Sequence, residues 1–454
     1  MKHRTSLLTA FSAIALLAPL AAMAADVAGP AGQPTFAKDI APILQERCQE
    51  CHRKGAMAPM SLVTYEETRP WARAIKQRVV TRQMPPWHID KTVGVKKFKN
   101  DFSLTDEQIN TISRWVDSGA PQGDLKDMPA AKTFRADNEW NGTKEMGPPD
   151  LIIRSKPYTM PARHQDVWWR EESAIGVTEP RWMRAVEVRP GGTQGLKITH
   201  HAVAYLAQND PKGLAPGTDP TLNARAYLME WAIGKGYDLY RPDSGKLLLP
   251  GSKINWDIHY HAVGEELTDL VEIGIWLYPK GQEPKYRTYL TGFQAVRGFE
   301  TSQPGRGERL IDIAPNTISQ TDNYTVLKQA AMLENFQPHM HLRGKAMSVE
   351  AILPDGRVEQ ISHIGNFNFN WMTNYIYEDD AAPLLPKGTM IHVTAWYDNT
   401  RANPRNPDPD QWVGFGDRTV DEMGHAWMNV TYMSDEEYNS MLVKRKQKMQ
   451  ASSK

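Results

Sequence analysis

Apolar positions recur along this chain with two different periods, and the change falls beyond residue 121. Before it, "FAKDIAPILQERC" places Phe36, Ile40, Ile43 and Leu44 on one helical face. "LTDEQINTISRWVDSGAP" does the same with Ile109, Ile112 and Trp115 or Val116. Thr105 and Gln108 form a capping box at the start of that second helix, and Gly119 and Pro121 end it. From about residue 150 the pattern shortens to strand lengths. "LVEIGIWLYP", "KYRTYLTGF" and "MIHVTAWYDN" alternate or run apolar and stop at turn residues, and "ILPDGRVEQI" reads as a hairpin turned by Pro354, Asp355 and Gly356. From Pro121 to about Gly147 the sequence is polar and poor in periodicity, as in a linker. The expected fold class is multidomain: a small all-α domain followed by two β-sandwich domains.

Composition narrows the function. Lys plus Arg equals Asp plus Glu at 53 each, so no overall field points to nucleic acid or an anionic membrane. The N-terminus, "MKHRTSLLTAFSAIALLAPLAAMAADV", has a basic start, an apolar run and an Ala-x-Ala ending at Ala22 and Ala24. It reads as a signal peptide cleaved near Ala24, which places the mature chain in the periplasm or outside the cell. The run from Leu7 to Ala22 is short for a membrane span and contains Pro19, and no other stretch is apolar enough to cross a bilayer. An exported protein of this size could use disulfides, yet the chain has only two Cys, and both lie in one motif.

That motif is "CQECH", Cys48 to His52. Thiols at this spacing form thioethers to the two vinyl groups of a haem, with the adjacent histidine beneath the iron. One covalent haem c is therefore expected on Cys48, Cys51 and His52. A redox Cys-x-x-Cys would want a βαβ setting, and a zinc site would want further ligands nearby. Met57, Met60 and Met84 compete for the sixth iron position. Met84, stiffened by two prolines in "RQMPPWH", is preferred because residues 36–121 resemble small bacterial c-type cytochrome domains in which a Met-Pro segment closes the haem.

The β region holds an ordered series of histidines: His200 and His201 in "ITHHAVAYL", His259 and His261 in "NWDIHYHAVG", His339 and His341 in "FQPHMHLRG", then Met423 and His425 in "TVDEMGHAW". An His-x-His pair on a strand turns both rings to one face. Imidazoles with a thioether and no remaining thiolate suit copper. His88, His164, His363 and His392 read as structural.

In this order and rough spacing, residues 150–436 resemble the type II copper monooxygenases, the family of peptidylglycine hydroxylating monooxygenase and dopamine β-monooxygenase. The resemblance implies two consecutive jelly-roll-like sandwiches with one copper in each, facing across a solvent cleft. It assigns His200, His201 and His259 to an electron-storing copper. It assigns His339, His341 and Met423, the expected catalytic group, to a copper that activates dioxygen against a substrate C–H bond. His261 and His425 share faces with His259 and Met423 and compete as ligands. Three features depart from the family: no Cys is left for disulfides, Gln337 stands where the peptide-hydroxylating branch has a carboxylate-binding Arg, and Gly424 replaces a Cys. Asp421 and Glu422 are adjacent and point to opposite faces of a strand, against an acid and base pair. Trp427 and Tyr260 read as aromatic core.

The expected organisation is a signal peptide at 1–24, a cytochrome c domain at 30–124, a linker at 125–149, copper sandwiches at 150–315 and 316–437, and a solvated basic tail at 438–454. The expected activity is hydroxylation of a small organic substrate with dioxygen, with electrons passed from an external donor through the haem. The other reading is an exported electron-transfer or copper-binding protein without monooxygenase activity. A blue-copper oxidase is excluded because no Cys thiolate remains after haem attachment.

Overall fold

The structure is a computed structural model that describes residues 32–54, 56, 58–134, 139–213, 215–216, 226–300 and 307–452. The expected signal peptide and Met57 lie outside the described residues. The chain is mostly β-sheet with few helices, consistent with β-sandwich domains. Among the described residues no helix is long and apolar enough to cross a membrane.

The helices that matter here are α1 (Ala41–Arg47), α2 (Ala72–Val80), α3 (Asp106–Asp117) and α4 (Asp435–Ser452). Both hydrogen bonds of the Thr105/Gln108 capping box are made at the start of α3. Phe36, Ile40, Leu44, Ile75, Val79, Ile112 and Trp115 close a small core among the first three helices.

The first strand group contains β1 (Val167–Ala174), β2 (Arg181–Pro190), β3 (Thr199–Ala207), β4 (Ala226–Ala232), β5 (Ser244–Leu248), β6 (Lys253–Tyr260) and β7 (Val271–Leu277). The second contains β8 (Tyr286–Gln294), β9 (Ile318–Val326), β10 (Ala330–Leu333), β11 (Asn335–His339), β12 (Gly344–Ile352), β13 (Val358–Ile364), β14 (Met390–Asp398) and β15 (His425–Met433). A four-stranded sheet β1–β6–β3–β4 shares one core with β2, β5 and β7. A second, β9–β14–β12–β13, shares another with β8, β10, β11 and β15. The inner strands of both halves belong to one continuous sheet, joined where β5 and β8 pair in parallel through Ser244–Tyr286 and Gly245–Arg287.

Four expectations about organisation change. Residues 286–296 and 311–313, expected in the first sandwich, supply Phe293, Ala295, Val296, Ile311 and Ile313 to the second core, because β8 pairs with β15 from Thr288 to Gln294. Strand periodicity reports burial, not which sheet a strand joins. The segment after Met84, expected in the helical domain, instead straps the second half. Trp87, 6% exposed, packs edge-on against Tyr375 at 4.7 Å, and Ile89 and Phe98 make isolated bridges to Ile364 and Tyr377. The linker is anchored at its end: Trp140 is buried against Trp276 with the Arg189 guanidinium 3.8 Å above its ring. The basic tail is helical, started by a reciprocal Ser434/Glu437 cap and tied down by Arg445, which donates to the carbonyls of Ala382 and Asp379.

Candidate metal centre

His201 and His259 are register partners on the neighbouring strands β3 and β6. Adjacent residues on a regular strand would send His200 to the opposite face, but the pairing slips between Thr199 and His201. The extra residue re-aims the His200 ring toward its neighbours, a common use of a β-bulge beside a functional site. One ring nitrogen from each of His200, His201 and His259 then lies within 4.8 Å of the other two, the one such group among the described residues.

The chemistry of these atoms fits a metal. His200 Nδ1 and His201 Nδ1 face each other at 2.9 Å, so two neutral imidazoles with their protons on Nε2 would turn lone pairs toward one point. His259 Nε2 lies 3.0 Å from Asp166 Oδ2, while its Nδ1 is buried without a hydrogen-bond partner. That is the arrangement of a metal-binding histidine whose far N–H is held by a carboxylate. Trp168 stacks on the His259 ring at 4.6 Å and restricts its rotation. Burial, reinforced by the neighbouring imidazoles, holds His200 and His201 well below the usual histidine range. They stay neutral, as coordination requires.

His339 and His341 lie against this group. Ring centroids are 5.6 Å apart for His201–His339, 6.3 Å for His200–His341 and 5.5 Å for His339–His341. The five rings form one buried cluster, and Phe369 stacks on His200 at 4.6 Å. The expected solvent cleft between the two histidine sets is therefore absent at the rings. The reason is that the continuous inner sheet and the 365–374 segment, bonded through Met372 N–H to the Ile233 carbonyl, hold the halves together.

His341 Nδ1 is 3.1 Å from the Asp421 carbonyl, and its Nε2 is buried without a partner. Burial and the adjacent His339 push its pKa down to about 3. Glu422 is fully buried and accepts the backbone N–H groups of His341 at 2.9 Å and Arg343 at 2.6 Å, whereas Asp421 turns outward to Arg418. The two carboxylates thus point apart, and Glu422 props the backbone that carries His341.

Met423 is buried at 9% exposure, two residues before His425. The β11–β15 register sets His425 directly across from His339, with ring centroids 5.9 Å apart. His261 is less buried, its ring centroid 6.4 Å from that of His200. At Gly424 a Cβ would meet Tyr397 Oη at 2.5 Å, which explains why no Cys stands there.

The Cys48–His52 motif begins at the C-cap of α1. His52 and Cys51 backbone N–H groups both donate to the Cys48 carbonyl, which curls the motif into a tight turn. His52 Nδ1 is 3.3 Å from the Met60 carbonyl, an arrangement that would leave Nε2 to face an iron, and burial depresses its pKa. Cys48 packs against the helical core with its thiol pushed up to about 12, mainly by burial, and is not in a disulfide with Cys51. Met84 is half-buried after α2, its N–H donating to the Arg78 carbonyl. These residues fit covalent haem attachment. Of the histidines read as structural, His392 lies between Glu350 Oε2 at 3.1 Å and Asp322 Oδ2 at 3.3 Å.

Sequence reasoning misses Asp166, Trp168 and Phe369, for which no local signal exists. It also misses Glu230, a carboxylate inside the apolar run "YLMEWAI", where a charge among strand hydrophobics is itself a signal.

No family model matches the chain, and no curated protein sequence matches it. Among solved structures it is similar to the major capsid protein P2 of bacteriophage PM2, at 10% identity and a TM-score of 0.29, covering 62% of this chain and 96% of that one. A putative alpha-L-fucosidase from Bacteroides ovatus aligns at 9% identity and a TM-score of 0.17, covering 56% of this chain and 37% of that one. Likenesses this weak carry no argument about fold or function.

Proposed function

We propose that the chain is an exported copper- and haem-dependent monooxygenase: a small cytochrome c domain followed by two jelly-roll-like sandwiches, hydroxylating a C–H bond of a small organic substrate with dioxygen. The observation that carries this reading is the convergence of His200, His201 and His259 beside His339 and His341. In this cluster His259 and His341 each have one nitrogen tied to an oxygen and the other buried and unsatisfied. Bound there, two copper ions would supply one-electron chemistry and dioxygen activation.

The chain's own residues do the rest. His200, His201 and His259 would hold one ion, with Asp166 keeping the His259 Nε2 proton away from it. His339 and His341 would hold the other, with Met423 or His425 completing the set. Phe369 covers His200 and keeps water from the rings. Cys48, Cys51 and His52 would carry the haem and Met84 would close it. Trp87, three residues after Met84, anchors that loop in the core that also contains β11 and β15, so the proposed electron donor and the second histidine pair share one rigid support.

The test is copper and haem stoichiometry of the purified protein, followed by labelled-oxygen incorporation into product from extracts of the source cell. Two coppers per haem and labelled product are expected. A ratio well away from two coppers per haem defeats the assignment. The closure of the ring cluster favours one competing reading, an electron-transfer or copper-binding protein without monooxygenase activity. Copper loading at the expected ratio with no oxygen uptake on any substrate would establish it.

A further inference from the structure

Glu230 lies in β4, between Met229 and Trp231, and is 1% exposed. A carboxylate so buried is costly unless other groups compensate it. Both of its partners belong to the other half of the molecule. Oε2 accepts the Gln337 side-chain amide at 2.5 Å. Oε1 lies 3.5 Å from His339 Nδ1, and neither of these two buried atoms has another hydrogen-bond partner. That separation is just beyond hydrogen-bond range, and a small rotation of the imidazole closes it.

We infer that Glu230 is a positioning residue for His339: it accepts a hydrogen bond from the Nδ1–H, fixes the tautomer and aims Nε2 at the metal held with His341. This inference rests on the copper reading above. It completes a pattern already present at two other rings. His259 is steadied by Asp166 and His341 by the Asp421 carbonyl, and each keeps its other nitrogen buried and unsatisfied. Such oxygen anchors orient metal-binding histidines and raise their basicity. His339 differs in that its anchor crosses from the first four-stranded sheet to β11. Gln337 takes on a role as well: it holds Glu230 in place rather than reaching a substrate carboxylate.

The experiment uses the full-length haem-loaded protein. Copper(I) is titrated against a competing chelator, and the copper(II) electron paramagnetic resonance spectrum is recorded, for wild type, Glu230→Ala, Glu230→Gln and His339→Ala. The copper lost in His339→Ala defines the second site. Glu230→Ala should weaken that copper by roughly ten- to a hundredfold and leave the first copper and the haem spectrum unchanged. Glu230→Gln, nearly isosteric and able to accept the same N–H, should recover most of the affinity while altering the spectrum of the second copper. It carries the test should the alanine variant fail to fold. Unchanged affinity and an unchanged spectrum in Glu230→Gln and in any folded Glu230→Ala protein overturn the inference. If wild type binds no copper that His339→Ala removes, the copper reading itself has failed, and that result is seen without any Glu230 variant.

Discussion

His200, His201 and His259 converge within one four-stranded sheet, whereas His339 and His341 depend on groups from several separate segments. In the first set, strand register brings His201 beside His259 and a bulge turns His200 in. In the second, His341 lies beyond the end of β11, its backbone held by Glu422 and its ring by the Asp421 carbonyl, while Glu230 arrives from the other half. A site built on backbone register is preorganised by the sheet itself. A site built on tertiary contacts responds to how the halves are seated. Under the proposed copper reading, electron storage would suit the first arrangement, and a reacting centre that must adjust to substrate would suit the second.

The largest expected effect is that of His201→Ala. It should abolish copper binding at the first set and leave the copper defined by His339 in place, as read by metal analysis. Loss of both ions would show that the five rings act as one site and would break the comparison. Next in size, Trp87→Ala removes a large buried side chain from the second core and should cost about 3–5 kcal/mol in denaturant unfolding. Copper at His339 and His341 should then become labile before copper at the triad does. A smaller change is expected for Asp166→Asn, a roughly ten- to hundredfold loss of copper affinity confined to the first set. An equal loss at both sets would show that the carboxylate acts on the cluster as a whole. The smallest effect is expected for Thr105→Ala, which removes the cap of α3 at a cost of about 1 kcal/mol. Its thermal unfolding should shift while both copper affinities stay at wild type, since the buried side chains of α3, Ile112 and Trp115, belong to the helical core.

Much of the local structure was legible. The Thr105/Gln108 box, the amphipathic helices and the strand segments follow from side-chain periodicity, which short-range sterics and burial impose wherever the chain ends up. The C-terminal helix was missed although Ser434 and Glu437 announce its cap, because its apolar stripe is only Tyr438, Met441 and Leu442 and most of the rest of the segment is polar or charged. The candidate site was legible as a roster of His and Met in order along the chain. Its geometry was not. Nothing local distinguishes a bulged His200 from one pointing to the far face, or a strap at Trp87 from a loop belonging to the helices.

The sequence by itself determined most of the elements and the chemical types available: helices before residue 121, mainly strands from 150 to 433, a CQECH turn, and an ordered series of imidazoles with no thiol outside that turn. Those properties are set by residues a few positions apart. Only the tertiary structure decided that β8 crosses to the second core, that the two histidine sets touch instead of facing across solvent, and that Glu230 reaches His339. Each depends on pairing between residues separated by tens to hundreds of positions, such as the 109 between Glu230 and His339. Contacts at that separation are selected by the packing of whole sheets, not by any local preference of the chain.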